Sequence, residues 1–219
     1  MRRLFYYFCC MGFLFGFYSC QKSTDENESI ILLGHEEAYV KPIMEVIPDT
    51  LRTTFPNHFG NIPTGYIPPN IEGEYVFKKQ YFYSNLIPLH DDSEMHIRIT
   101  NQHNRTATVE LHDYSIVKTD TAYITGSGSS FTLYLIEDRV MEFYGFHYTN
   151  ERCIIISGEK VDGGIKDMRL GIIITEAKES DTPYISGFTP GMYFIYKDQD
   201  GMSDNCNWFD QQVGDDENE

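Results

Sequence analysis

Side chains able to do chemistry gather at three places along the 219-residue chain. Asp198-Gln199-Asp200-Gly201-Met202-Ser203-Asp204 alternates oxygen donors around a glycine, a pattern that suits hard Ca²⁺. It departs from the helix-flanked calcium loop, because a third aspartate at spacing two is missing and no glutamate closes the site. A solvated acidic turn is the commoner outcome of such a run. His90-Asp91-Asp92-Ser93-Glu94-Met95-His96 places carboxylates between two imidazoles, which suits a transition metal if the loop folds back. Nothing local fixes that geometry, and His103 and His112 lie on separate elements. Gly126-Ser127-Gly128-Ser129-Ser130 meets neither the G-x-S-x-G of a nucleophile elbow nor the G-K-[ST] that ends a phosphate loop. A tight turn or bulge between strands explains its glycines. No catalytic set, metal or cofactor is expected, and the chain is read as non-enzymatic.

Aromatic side chains are the remaining functional material. Eight of the 16 Tyr and 15 Phe fall before Cys20, but the rest of the chain stays rich in them. Tyr134, Phe143, Tyr144, Phe146, Tyr148 and Trp208 are the candidate ligand-binding residues, able to line a barrel mouth or to stack on sugar rings. Small barrels also fill their interiors with such side chains, and the sequence does not say which faces point inward.

The elements that must position these residues are strands. Glu74 to Tyr83, Ile97 to Thr100, Ala107 to His112, Ser115 to Lys118 and Ala122 to Thr125 are β-branched or aromatic runs. Phe131 to Glu137, Val140 to Tyr148, Cys153 to Glu159, Arg169 to Glu176 and Met192 to Lys197 continue the series. Turn chemistry separates them at Asp91-Asp92-Ser93, Asn101 to Asn104, Gly126 to Gly128, Thr149-Asn150, Asp162-Gly163-Gly164 and Pro183. Ala107-Thr108-Val109-Glu110-Leu111-His112 alternates cleanly, which gives one buried and one wet face. Short loops imply antiparallel neighbours, and closure removes aggregation-prone edges. The expected fold is all-β, an antiparallel meander barrel of about eight strands, with a two-sheet sandwich as the alternative.

Before the strands, residues 30–70 carry prolines at 42, 48, 56, 63, 68 and 69 and read as an irregular lead-in lying against the domain. Pro48-Asp49 is placed to open a brief helix through Phe55. The barrel domain is expected over 71–204 and an acidic tail over 205–219.

At the start, Arg2 and Arg3 precede the apolar run Leu4 to Tyr18 and then Ser19-Cys20. This is the layout of a secretory signal over 1–19, too short to cross a bilayer as a helix, which needs roughly 20 residues. Phe17-Tyr18-Ser19-Cys20 resembles the lipobox of bacterial lipoproteins, with Phe17 in the place of the usual leucine. The resemblance implies that Cys20 becomes an acylated first residue and tethers the protein to a membrane. Gln21 to Ser29 holds no apolar residue, so 20–29 reads as a flexible acidic tether. In that family the absence of aspartate after the cysteine implies the outer membrane. The cluster Asp25, Glu26 and Glu28 is similar to surface-export tags of Bacteroidetes-type bacteria.

Removal of the signal leaves 15 basic against 33 acidic residues, a net charge of −18. Nucleic acid is excluded as a natural partner, since phosphate binding needs a basic face. Lying flat on anionic lipid is disfavoured for the same reason, so membrane contact falls to Cys20. Cys153 and Cys206 are the cysteines left over. Pairing them would add about 4 kcal/mol on the chain-entropy model, whereas the apolar run Cys153 to Ile156 suits a buried free thiol.

Pro68-Pro69-Asn70-Ile71-Glu72-Gly73-Glu74-Tyr75 resembles the opening of lipocalin-like (calycin-type) lipoproteins of Bacteroidetes-type bacteria. Ile124 to Thr132, Ile156-Ser157-Gly158 leading to Gly164 to Asp167, and Tyr196 to Gly201 are similar to later phrases of that group. The resemblance covers roughly residues 63 to 204. It implies the barrel and the anchor and leaves the ligand open: a small apolar or glycan molecule, or a partner protein. A surface adhesin or assembly subunit pairing through exposed strand edges is the alternative.

Overall fold

The computed structural model describes residues 42–85, 93–113, 115–143, 146–180 and 189–209, all inside the unit Val40–Glu219. Cys20, the signal and the tether lie outside the described residues, as do His90, Asp91, Asp92, Tyr144, Pro183 and positions 210–219.

Alternating sequence becomes alternating burial. In β1 (Gly73–Ser84), Tyr75 and Phe77 are buried while their neighbours are only half covered. The same rhythm gives Met95, Ile97 and Ile99 in β2 (Glu94–His103), and Ala107, Val109 and Leu111 in β3 (Thr106–Asp113). The chain continues through β4 (Ser115–Ser127), β5 (Ser130–Phe143), β6 (Phe146–Val161), β7 (Gly164–Ser180), β8 (Tyr193–Asp198) and the short β9 (Met202–Asp204). Every sequential pair from β1 to β8 is antiparallel, and β8 returns to pair with β1 from Lys79↔Asp198 to Ser84↔Phe194. Eight strands therefore form a ring, and β9 adds to the start of β7. The fold is the all-β antiparallel meander, and the sandwich alternative is not what forms.

Two expected boundaries shift. Ser115 to Lys118 and Ala122 to Thr125 belong to one long β4, whose pairing with β3 is irregular between Ala107 and Val109. The run from Val140 to Tyr148 is divided between β5 and β6, with Phe143 opposite Phe146. Tight turns join β2 to β3, β4 to β5 and β6 to β7 at what we term the lower end. Asn104 and Gly163 adopt the positive φ, 53° and 90°, that such two-residue connections require. At the upper end β1, β3, β5 and β7 finish.

The sheet carries a core on each face. Inside the ring, Ile97, Ile99, Val109, Leu133, Ile154, Ile156, Leu170 and Phe194 are among the members of one continuous cluster. Its lower end is sealed by Tyr75, whose hydroxyl donates to the Ile71 carbonyl at 2.8 Å and accepts from Lys160 Nζ at 3.1 Å. Burial pushes the Tyr75 phenol up to about 12.

Outside the ring, Tyr134, Cys153, Ile155, Ile173, Tyr193 and Ile195 are covered by the segment that precedes the strands. That segment holds α1 (Ile43–Val46), a 3₁₀ turn (Asp49–Leu51) and α2 (Thr54–Phe59). The helix expected at Pro48-Asp49 is this 3₁₀ turn, and a separate helix carries Phe55 and Phe59. Both phenylalanines are fully buried, with ring centroids 5.1 Å apart. Gly171 on β7 makes room for them: a Cβ there would lie 2.7 Å from Phe55 Cζ and 3.0 Å from Phe59 Cε2.

Candidate functional site

Inside the ring, the apolar series on four strands ends in charge. On β1 the inward sequence Tyr75, Phe77 continues to Lys79; on β3, Val109 and Leu111 lead to Asp113. On β5, Leu133 and Leu135 lead to Glu137, and on β6, Ile156 and Ile154 lead to Arg152. Period-two geometry puts all four on the inner face, one step above the core. Lys79 Nζ meets Asp113 Oδ1 at 2.7 Å, with the lysine side chain only 1% exposed. Its ammonium also lies 5.8 Å from the centre of the Tyr196 ring. Arg152 pairs with Glu137, its direct neighbour in the β5–β6 register.

Buried ion pairs are costly to assemble, because the desolvation of two charges offsets most of their attraction. Two of them at one level of an apolar ring form a polar layer that packing alone does not require. A cavity of about 20 Å³ lies at this level, bounded by Asp113 and Arg152 and walled by Leu111, Ile154 and Leu170. That is room for one water molecule and not for a ligand of ordinary size. Two acceptors here have no hydrogen-bond partner: Glu137 Oε2 and, on the adjacent inward position of β6, Asn150 Oδ1.

The residues singled out in the sequence are distributed elsewhere. Tyr134 sits on the outer face of β5, 1% exposed, in the core beneath α1 and α2. Burial raises its phenol above the ordinary range. Trp208 lies outside the ring on the opposite strands, stacked at 4.5 Å on His96 and tilted against His112 at 4.3 Å. Tyr134 and Trp208 are thus not brought together. Phe143, Phe146 and Tyr148 fall at the adjoining ends of β5 and β6, and their side chains, like Tyr144, lie outside the described residues.

The acidic turn is occupied by the protein's own donors. Asp198 accepts Ser203 Oγ at 2.7 Å and the Asp200 amide at 3.2 Å, and Lys78 Nζ binds Asp200 at 2.9 Å. The hydrogen bond from Lys78 holds the Asp200 carboxyl down to about 2, while burial raises that of Asp198. The glycine run serves close approach: a Cβ on Gly126 would stand 2.3 Å from the Ser130 carbonyl oxygen. Cys153 and Cys206 are unpaired, and burial pushes the Cys153 thiol up to about 12. Among the described residues no three His, Cys, Asp or Glu side chains are grouped to hold a metal, and no helix is long and apolar enough to cross a membrane.

The charged layer was missed in the sequence although its signal was present. Each member follows an inward apolar residue at spacing two, where a charge has no reason to stand in a filled barrel. Compared with models of known families, with curated proteins and with solved structures, the chain matches none of them.

Proposed function

We propose that this is a lipid-anchored lipoprotein of a bacterial cell envelope, non-enzymatic, tethered through an acylated Cys20. On this reading the chain is held at the outer membrane, and its lipocalin-like ring acts as a binding module. The anchor rests on Arg2-Arg3, the apolar run to Tyr18 and the Phe17-Tyr18-Ser19-Cys20 phrase.

The observation that carries the binding module is the division of the ring interior. On β1, β3, β5 and β6 it is filled with hydrocarbon from the lower end upward and then changes to buried ion pairs around a cavity of about 20 Å³, while on the β7–β8 side Ile174, opposite Arg152, and Phe194 keep it apolar. A filled apolar interior argues against an apolar ligand and favours a polar one, of glycan or similar chemistry, recognised by the charged layer. A partner protein engaging the same end is compatible with that layer. The adhesin alternative requires an unpaired strand edge; each of β1 to β8 pairs with two neighbours, and β5 from Leu135 to Phe143 pairs with β6 alone, which is the edge such a reading would use.

Two measurements test the reading. Labelled palmitate is expected to enter the full chain expressed in a bacterial envelope, and Cys20→Ala to abolish the label and release the protein from membranes. A panel of immobilised glycans is expected to retain the purified chain where alkyl and fatty-acyl probes do not. Absence of label from the wild-type chain overturns the anchor, and preferential retention by fatty-acyl probes overturns the polar module.

A further inference from the structure

Between β4 and β5 the ring is joined at its lower end and parts above it. The two strands pair from Ser127↔Ser130 to Tyr123↔Tyr134 and no further. β4 continues to Ser115 along β3, and β5 continues to Phe143 along β6 without a break in register. The cause lies in β4. Between the pairs Ala107↔Ala122 and Val109↔Thr119, β3 advances two residues and β4 three. The extra residue is a bulge, which bends its strand and increases the local twist, so β4 turns away while β5 stays on β6.

Leu135 to Phe143 is therefore a sheet edge of nine residues that meets no second strand among the described residues. At the usual rise of a strand it is roughly 30 Å long. The Lys160 amide donates to the Ser129 carbonyl, so odd-numbered residues of β5 turn their N–H and C=O toward β6. Ile136 and Val140 turn theirs to the open side. Exposed edges are normally kept short, or are broken by a proline or a bulge. This one has no proline, and its pairing with β6 is regular throughout. Ile136 lies on it 48% exposed, one of the large apolar side chains left at the surface.

What the edge does carry is charge, and the charge selects the occupant. Glu137, Asp138 and Glu142 outnumber Arg139, in a chain of net charge −16. A second copy is disfavoured, because antiparallel self-pairing about a two-fold axis at Glu137 or Asp138 sets that carboxylate opposite its own copy. A strand bearing lysine or arginine meets no such penalty and is drawn to the acidic surface.

We propose that β5 from Leu135 to Phe143 is a docking edge for an extended, basic segment of a partner protein, which adds to the sheet as a strand beside β5. Main-chain hydrogen bonds supply the affinity, and Ile136 with the carboxylates around it sets the choice of side chains. The inference needs neither an acyl group at Cys20 nor a glycan, so it fails or stands separately from the anchor and the polar module.

The test uses the purified full chain and the capped nonapeptide KVTVKVTVK, read by NMR through exchange of the Ile136 and Val140 amide protons. Saturable binding with slowed exchange at both amides is expected. The fully N-methylated peptide keeps the charge but has no backbone donor, and EVTVEVTVE keeps the donors and reverses the charge. Neither is expected to slow the exchange. Ile136→Pro removes a donor on the open side and leaves the β6 ladder intact, and is expected to weaken binding about tenfold. Should that variant unfold, Ile136→Lys keeps the backbone and sets a like charge against the peptide, with a several-fold loss expected. Equal binding of the N-methylated peptide overturns the added strand, and equal binding of EVTVEVTVE overturns the basic occupant. Failure of KVTVKVTVK to bind overturns both. Exchange already slow without peptide overturns the docking edge, sedimentation as a dimer then assigning its cover to a second copy and as a monomer to the chain itself.

Discussion

Two segments outside the ring cover it in different ways. Residues 42–59 lie over the outer face of β5 to β8 as a dry apolar cover, with Ile47, Phe55 and Phe59 fully buried. Residues 205–209 cross β1 to β3 as a strap built from hydrogen bonds and aromatic stacking. Its Cys206 amide donates to the Glu74 carbonyl at 2.9 Å, its Phe209 amide donates to Glu74 Oε2 at 3.2 Å, and Arg98 lies 4.5 Å from the Phe209 ring centre. Trp208 completes it by resting on two imidazoles that face each other across the strands, His96↔His112. Hydrocarbon burial has no titration and is hard to undo, so the first segment is part of the folded unit. Only Phe209 of the strap is buried, and its partners Glu74, Arg98, His96 and His112 are ionisable, so it is the segment that conditions can release.

The sharpest way to break this contrast is to empty the cover. Phe59→Ala is expected to cost about 4 kcal/mol, the usual loss for a buried phenylalanine, read as a lower urea midpoint at unchanged slope. A loss near that expected for the strap would mean that 42–59 is not part of the cooperative unit. Gly171→Ala attacks the same contact from the sheet side. Its Cβ would stand 2.7 Å from Phe55 Cζ, and the overpacking is expected to cost about 2 kcal/mol. Phe55→Leu in the Gly171→Ala background should recover part of it, a coupling that a double-mutant cycle measures.

Trp208→Ala, by comparison, is expected to cost about 1 kcal/mol, because the ring is only partly buried and its loss exposes groups that water can solvate. A change as large as that of Phe59→Ala would make the strap a third core and not a latch.

How far these features could be read from sequence follows from their physics. The ring strands were legible because Tyr75-x-Phe77 and Val109-x-Leu111 have the period of a half-buried strand and nothing competes with it. The cover was not, yet its apolar residues Ile43, Val46, Ile47, Leu51, Phe55 and Phe59 recur at steps of three and four. Pro42, Pro48 and Pro56 broke that stripe into short pieces, so it read as punctuation and not as a core face. The division of Val140 to Tyr148 was hidden because a single glycine, Gly145, marks the reversal within an otherwise aromatic run that reads as one strand. For the site, the aromatics drew attention and the charges did not. Tyr134 and Trp208 are placed outside the ring, while Lys79, Asp113, Glu137 and Arg152 were each visible as a break in an inward apolar series. Strand direction and closure decide which series is inward, and a single strand carries neither.

The smallest effect is the most discriminating between the two segments. Burial lowers the pKa of His96 below its ordinary 6.5, the Glu94 and Glu74 carboxylates pull it back up, and His112 pushes it down. Arg98 and Glu110 pair with each other alongside. The docked strap therefore binds a proton at His96 less readily than the released one does. Its contribution is fully present above pH 6.5 and is lost as pH falls through the lowered value. Trp208 is the single tryptophan of the chain, so its emission reports on the strap alone. Between pH 7.5 and pH 5 the emission is expected to move to the red and weaken while the circular dichroism of the strands stays constant. His96→Phe, which keeps a ring under the indole, should remove the pH dependence. A shift that survives in His96→Phe would place the titration on His112 or the carboxylates, and a parallel loss of strand signal would show that strap and ring open together.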